Sequence, residues 1–238
     1  MGVKAGVFYP AFFFIRKIRI VNKKRLYPFS VDQYIEEHTT AASDLLNELE
    51  RQTYVKVLRP QMVAGHLQGK VLEMMCRMIR PQRVLELGTF TGYSALCMAA
   101  GMPEGSVLHT IDVNDELEDF TRSFLDRSPY ANRIVYHLGD ARQIVPTLGG
   151  NFDLVFIDAD KREYPEYYDL IINEVRTGGF IIADDVLWYG KINGDTPPAD
   201  AHTHGLQQFN DTVHADPRVV NVLFPIRDGL MVMQKVGE

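Results

Sequence analysis

The sequence predicts an α/β fold: a doubly wound, mostly parallel sheet with helices on both faces and an antiparallel hairpin at its C-terminal edge. Three observations predict it. From residue 83 to residue 184, short β-branched and aromatic runs alternate with helix-like segments, the order that builds βαβ units. Two of those runs, Leu154-Val-Phe-Ile-Asp158-Ala-Asp160-Lys161 and Phe180-Ile-Ile-Ala-Asp184-Asp185-Val-Leu-Trp188, are apolar until they stop at carboxylates. A buried parallel strand reads this way when its carboxyl end opens into a site. The last two runs are separated only by Pro225-Ile-Arg-Asp228, so they pair as a hairpin.

The elements follow in order. Residues 31–58 read as one helix with Ser30 as N-cap, carrying Tyr34, Ile35, Leu45, Leu46 and Leu49 at helical spacing and ended by Pro60. Residues 61–79 read as a second helix, stopped before Pro81. The first strand, 83–87, runs through a glycine turn, 88–92, into a helix at 93–100. The strand 107–112 precedes Asn114, which caps a helix reaching residue 124. Next come strand 133–138, helix 141–148, strand 153–158, helix 163–175 and strand 179–184. Residues 189–204 are rich in Gly, Pro, Asp and His and read as a long polar loop, a candidate lid beside the second acidic strand end. Strands 219–224 and 229–235 bring the sheet to seven. The expected division is an N-terminal extension, residues 1–29, and one domain, residues 30–238.

Composition narrows the function. The net charge of −6 disfavours a broad nucleic-acid footprint. The two cysteines, Cys76 and Cys97, each sit in an apolar helical run and read as buried thiols. They make no disulfide framework, so a reducing, cytoplasmic setting is expected. The apolar stretch 7–15 is too short to span a bilayer, so no transmembrane segment is expected. It is followed by Arg16, Lys17, Arg19, Lys23, Lys24 and Arg25, cations on the wrong side for a signal peptide. It reads as a packed or flexible extension, a start codon set too early, or a weak membrane-surface anchor.

Four motifs carry chemistry. In Val84-Leu-Glu86-Leu-Gly88-Thr89-Phe-Thr-Gly92-Tyr-Ser94 a strand enters a glycine turn and a helix. Glycine lets a ligand approach the backbone, and the helix start favours anionic groups. The pattern is neither G-x-G-x-x-G nor a P-loop. Asp112, about 20 residues past the glycines, suits a ribose diol, so the pair points to an adenosine-type ligand. At Gly139-Asp140-Ala141 an acid or amide stands where adenine would lie; an ordinary N-cap by Asp140 is the competing reading. The acidic strand ends gather oxygen donors suited to Mg²⁺ or Ca²⁺, whereas Zn²⁺ prefers His or Cys. His202 and His204 read as solvated loop residues. Lys161, three residues after Asp158, becomes a candidate general base if a nearby cation and burial lower its pKa. The alternative is a surface lysine at a helix start.

At these residues the chain resembles the class I S-adenosylmethionine-dependent, divalent-cation-dependent O-methyltransferases, which include the catechol and caffeoyl-coenzyme A enzymes and bacterial relatives. The likeness covers about residues 27–235 and rests on motifs in order: Met62-Val-Ala64-Gly-His-Leu-Gln68-Gly69, Leu85 to Ser94, Gly139-Asp-Ala141, Phe156 to Lys161, Ala183 to Trp188, and Asp228-Gly-Leu230. It implies a Rossmann-like fold. It also implies that Glu86, Gly88, Thr89 and Ser94 line the methionine and ribose side of S-adenosylmethionine, that Asp112 holds the ribose hydroxyls, and that Asp140 and Ala141 lie by adenine. Met62 and Ala64 would close that site. Asp158, Asp184 and Asp185 would bind the cation, Mg²⁺ first and Ca²⁺ or Mn²⁺ as alternatives, with Asp158 also beside the cofactor. Lys161 would be the base and Trp188 a wall for a flat substrate. Asp160 is expected to face solvent or cap the next helix. Plant and animal members commonly carry Asn where this chain has Asp185, which leaves the metal's identity open. The implied reaction is methyl transfer to a hydroxyl of a vicinal diol, a catechol or hydroxycinnamoyl-type small molecule, by a homodimer. Two rivals are a tRNA hydroxyuridine O-methyltransferase, for which the basic stretch 16–25 speaks, and a non-catalytic S-adenosylmethionine-binding protein on the same fold.

Overall fold

The structure is a computed structural model and describes residues 29–194 and 200–237. The expected N-terminal extension, with its apolar and basic stretches, lies outside the described residues apart from residue 29, as does part of the expected 189–204 loop.

The seven strands are β1 (Arg83–Leu87), β2 (Val107–Asp112), β3 (Ile134–Leu138), β4 (Phe152–Ile157), β5 (Val175–Ala183), β6 (Val219–Phe224) and β7 (Leu230–Lys235). They form one sheet in the order β3-β2-β1-β4-β5-β7-β6. Strands β1 to β5 are parallel, and β7 runs antiparallel to both of its neighbours. The chain therefore starts mid-sheet, winds outward to β3, and returns to lay β4 against β1. That reversal opens a crevice at the carboxyl ends of β1 and β4, where ligands of doubly wound sheets bind.

Among the described residues there are eight helices: α1 (Phe29–Glu37), α2 (Asp44–Lys56), α3 (Gly65–Ile79), α4 (Tyr93–Gly101), α5 (Glu118–Leu125), α6 (Ala141–Ile144), α7 (Tyr164–Ile171) and α8 (Ala201–Ala215). Successive strand residues point to opposite faces. Val84 and Phe156 join Leu49, Leu72, Met98 and Phe124 under α2 to α5. Leu85, Leu87, Val155 and Ile157 join Tyr168, Ile171 and Phe209 under α7 and α8. Both faces are covered, which is why these strands read as continuous apolar runs.

Several expected boundaries move. The single helix expected over 31–58 is two: α1 ends at Glu37, and Ser43 caps α2 by accepting from Leu46 N at 3.3 Å. Ser30 falls inside α1 and does not precede it. Pro60–Met62 is a separate 3₁₀ turn, and α3 begins at Gly65. The helix expected at 141–148 is four residues of α6 followed by a 3₁₀ turn at Val145–Thr147, since Pro146 brings no N–H to continue it. The helix expected at 163–175 stops at Ile171, and β5 starts four residues early because Val175 pairs with Phe152. The largest correction is α8, which takes up the end of the expected loop and extends to Ala215. His202 and His204 are exposed, but they lie on its first turn and not in a loop. Cys76 and Cys97 are free and buried, and burial pushes the Cys76 thiol up to about 12. Among the described residues no helix is long and apolar enough to cross a membrane.

Candidate active site

The crevice is built by backbone meeting backbone. Gly88 has φ 99°, and a Cβ on it would stand 2.1 Å from the Asp158 carbonyl oxygen. Only glycine lets the β1 turn lie this close to the end of β4. Asp158 N donates to Leu87 O at 2.9 Å, which fixes that approach. Phe90 is also left-handed, with φ 50°, and is held by its neighbours. Its N–H donates to Asp112 Oδ2 at 2.6 Å, and its carbonyl accepts from Thr121 Oγ1 at 2.8 Å. A cleft at this point is lined by Met62, Ala64, Gly88, Thr89, Ser94 and Asp158, which were expected to meet a cofactor, and also by Val63, Phe90, Thr91 and Tyr93, which were not.

Four other expected contacts lie outside the cleft lining. Glu86 is fully buried beneath the turn, where Ser94 Oγ donates to its Oε1 at 2.5 Å and Thr110 Oγ1 to its Oε2 at 2.6 Å. Burial raises its pKa to about 8, against those two hydrogen bonds. Glu86 thus acts on the turn from below, through Ser94. Asp112, at the end of β2, has each oxygen on a backbone N–H, Phe90 on one side and Asn114 at 2.9 Å on the other. Asp140 caps α6 by accepting from Arg142 N at 2.9 Å, and the Arg142 guanidinium beside it holds its carboxyl below the usual range. Ala141 is buried against the sheet with Val145.

The acidic strand ends do converge. Asp158, Asp184 and Asp185 each present a carboxylate oxygen, and these atoms all lie within 4.8 Å of one another. Asp184 is 3% exposed, and burial, then Asp185 and Asp158, push its pKa up. Burial likewise raises Asp158, partly offset by Lys161. Its neighbour Asp185 adopts φ 58°, a conformation that Asp and Asn tolerate better than other side chains. The residue that departs from the commoner Asn therefore still suits this backbone. One observation tests whether a cation fits. Asp184 Oδ1 is buried and has no hydrogen-bond partner among the described residues, a cost that a cation would remove. An all-oxygen donor set suits Mg²⁺, Ca²⁺ or Mn²⁺.

Lys161 is 6% exposed and donates to Asp158 Oδ1 and to the Tyr164 hydroxyl, both at 2.6 Å; Asp185 lies at 3.8 Å. Burial works to lower its pKa, but Asp158, Tyr164, Asp185 and Asp184 outweigh it, and the net shift is well upward. The expected fall depends on a nearby cation, whose charge would oppose these carboxylates. Tyr164, fully buried, donates a hydrogen bond from its hydroxyl to the Asp184 carbonyl oxygen at 2.9 Å, so it ties the lysine to the second acidic strand end. Trp188 stands three residues past Asp185, half-buried, with one face stacked on His202 at 5.7 Å and 18°. Asp160 caps the 3₁₀ turn Lys161–Glu163, as expected.

Sequence reasoning gave no role to Tyr164, Thr110, Arg227 or Gln68. Tyr164 was signalled only by its spacing of three from Lys161. Gln68 lies inside the Met62–Gly69 motif, and nothing local marks Thr110 or Arg227.

A family model described as O-methyltransferase matches residues 36–236. The chain belongs to the O-methyltransferase family. A caffeoyl-CoA O-methyltransferase of Mesembryanthemum crystallinum is 30% identical over 184 residues, covering 71% of this chain and 71% of that protein. The O-methyltransferase TomG of Streptomyces achromogenes, involved in tomaymycin synthesis and solved in complex with S-adenosylmethionine, matches with a TM-score of 0.79 and 27% identity over 87% of this chain and 96% of that one. An O-methyltransferase of Bacillus cereus, solved with S-adenosylhomocysteine, matches with a TM-score of 0.80 and 26% identity, covering 87% and 97% of the two chains.

Proposed function

We propose that this O-methyltransferase moves the methyl group of S-adenosylmethionine to one hydroxyl of a vicinal diol, of the catechol or hydroxycinnamoyl type, with a divalent cation held by Asp158, Asp184 and Asp185. The observation that carries the reading is the convergence of three carboxylates within 4.8 Å, one with a buried oxygen that has no donor among the described residues, beside the glycine-lined cleft. Relatives solved with S-adenosylmethionine and its product support that cofactor for the cleft.

The cofactor's ribose hydroxyls go to Asp112 and its adenine to the Asp140-Ala141 turn. Gly88, Thr89 and Ser94 lie along its methionine arm, with Glu86 bracing Ser94 from beneath. Met62 and Ala64, ahead of α3, close the cleft. When bound, a divalent cation would gather both diol oxygens and lower the pKa of the hydroxyl to be methylated. Lys161 Nζ is the proton acceptor in this reading. As an ammonium it neutralises Asp158, so it can accept a proton only after losing one, which requires the Asp158 charge to be engaged elsewhere. Trp188 flanks a planar acceptor. Holding donor and acceptor together supplies much of the acceleration; such proximity is worth about 7–11 kcal/mol.

The test is a methyl-transfer screen over catechols, hydroxycinnamoyl thioesters and hydroxyuridine tRNA, each with Mg²⁺ and with EDTA. Turnover of the first two classes that EDTA abolishes is the expected result. Transfer to the tRNA alone would replace the small-molecule reading.

A further inference from the structure

One buried side chain beside the carboxylates has no part in the scheme above. Gln68, on α3, is 1% exposed. Its Nε2 donates to Asp184 Oδ2, and its Oε1 accepts from Arg227 Nη1, in the connection between β6 and β7. This order of contacts fixes the amide. A guanidinium only donates, so it must face the amide oxygen, and that turns the amide NH₂ toward the carboxylate. With Oδ2 occupied by Gln68, the oxygen that Asp184 leaves for another partner is Oδ1, the buried one.

Arg227 holds its place against a backbone preference. Its φ is 53°, left-handed, which costs a non-glycine residue roughly 1–2 kcal/mol. A glycine there would avoid the cost, but it would lose the guanidinium. The turn is held by Ile226 N donating to Phe224 O at 2.8 Å and Gly229 N to Ile226 O at 2.9 Å. The same connection grips the chain just past the acidic strand end: Leu187 N donates to Asp228 O at 2.8 Å and Val186 N to Gly229 O at 3.2 Å. It thus reaches the 184–188 segment by two backbone hydrogen bonds and, through Gln68, at Asp184.

We propose that Gln68, oriented by Arg227, is a positioning residue that aims Asp184 Oδ1 at the divalent cation; this rests on the reading of Asp158, Asp184 and Asp185 as a cation site. Partners that orient a metal ligand from behind are typically worth about 10–100-fold in metal affinity.

The experiment titrates Mg²⁺ alone into the full chain by calorimetry, for wild type, Q68M, R227G and the double variant, and follows thermal unfolding of each in EDTA. Q68M keeps the shape of the side chain and loses the donor. It should bind Mg²⁺ about 10–100-fold more weakly while unfolding near the wild-type temperature. R227G relieves the left-handed backbone, so it should unfold near the wild-type temperature and still bind Mg²⁺ more weakly. The double variant should bind no more weakly than Q68M, because the two residues act through one chain of contacts. Q68M binding Mg²⁺ with wild-type affinity overturns the proposal, and so do losses that simply add in the double variant. A wild-type protein that binds no Mg²⁺ overturns the cation reading itself, a different result from either.

Discussion

At the scale of single residues, Lys161 and Glu86 show opposite uses of burial. Lys161 is buried among carboxylates and stays charged; Glu86 is buried among hydroxyls and keeps its proton. Lys161→Ala should lower kcat by about 10²–10⁴-fold, the usual worth of a positioned general base. It should also remove the rise of rate with pH that tracks deprotonation of Lys161; a profile of unchanged shape would deny Lys161 that role. For Glu86 the prediction concerns stability. Its folded-state pKa of about 8 lies above the ordinary 4.5, so the folded protein keeps a proton that the unfolded chain releases. Its contribution is fully present below pH 4.5 and is lost as pH rises toward 8. In EDTA, urea unfolding across that window should show wild type losing stability with pH more steeply than Glu86→Gln, by about 1.4 kcal/mol per pH unit at most. Equal slopes would mean that Glu86 is ionised in the fold.

At the scale of elements, glycines decide how closely the pieces that carry the site can meet. A Cβ on Gly101 of α4 would stand 2.2 Å from the Glu73 carbonyl of α3, and one on Gly69 would stand 2.6 Å from Cys97 Sγ. These contacts seat α3, and so set where Ala64 and Gln68 fall. Gly101→Ala should cost about 1–3 kcal/mol through overpacking, read as a lower urea midpoint; an unchanged midpoint would show that the two helices part freely. The parallel strands and the acidic strand ends were legible because burial on both faces writes itself as unbroken apolar runs. Helix α8 was not. Its residues include His, Thr, Gly, Asn and Asp, which are poor helix formers. Only Leu206, Phe209 and Val213 form a buried stripe, and packing supplies the rest of its stability. Gly205 lets α8 press on the turn that holds Lys161, since a Cβ there would meet the Lys161 carbonyl at 2.4 Å. The break between α1 and α2 was hidden for the converse reason: apolar spacing continues across it, and only the Ser43 cap reveals it.

At the scale of the molecule, the strand order does the assembling. Winding out to β3 and back to β4 sets the glycine-lined cleft at one strand end beside an acidic cluster at the next two. The cluster was legible as residue types before it was legible as a site. What the sequence did not show were contacts between distant segments: Gln68 with Asp184, and Arg227 with Gln68, separated by 116 and 159 residues. No local pattern encodes such pairings, because only the folded sheet brings them together. The central claim is that Asp158, Asp184 and Asp185 make methyl transfer to a diol depend on a cation. It is tested most directly by following labelled methyl transfer from S-adenosylmethionine to a catechol or hydroxycinnamoyl thioester, for wild type and Asp158→Ala, in Mg²⁺ and in EDTA. The account predicts turnover only by wild type in Mg²⁺. Full turnover by Asp158→Ala, or by wild type in excess EDTA, would contradict it.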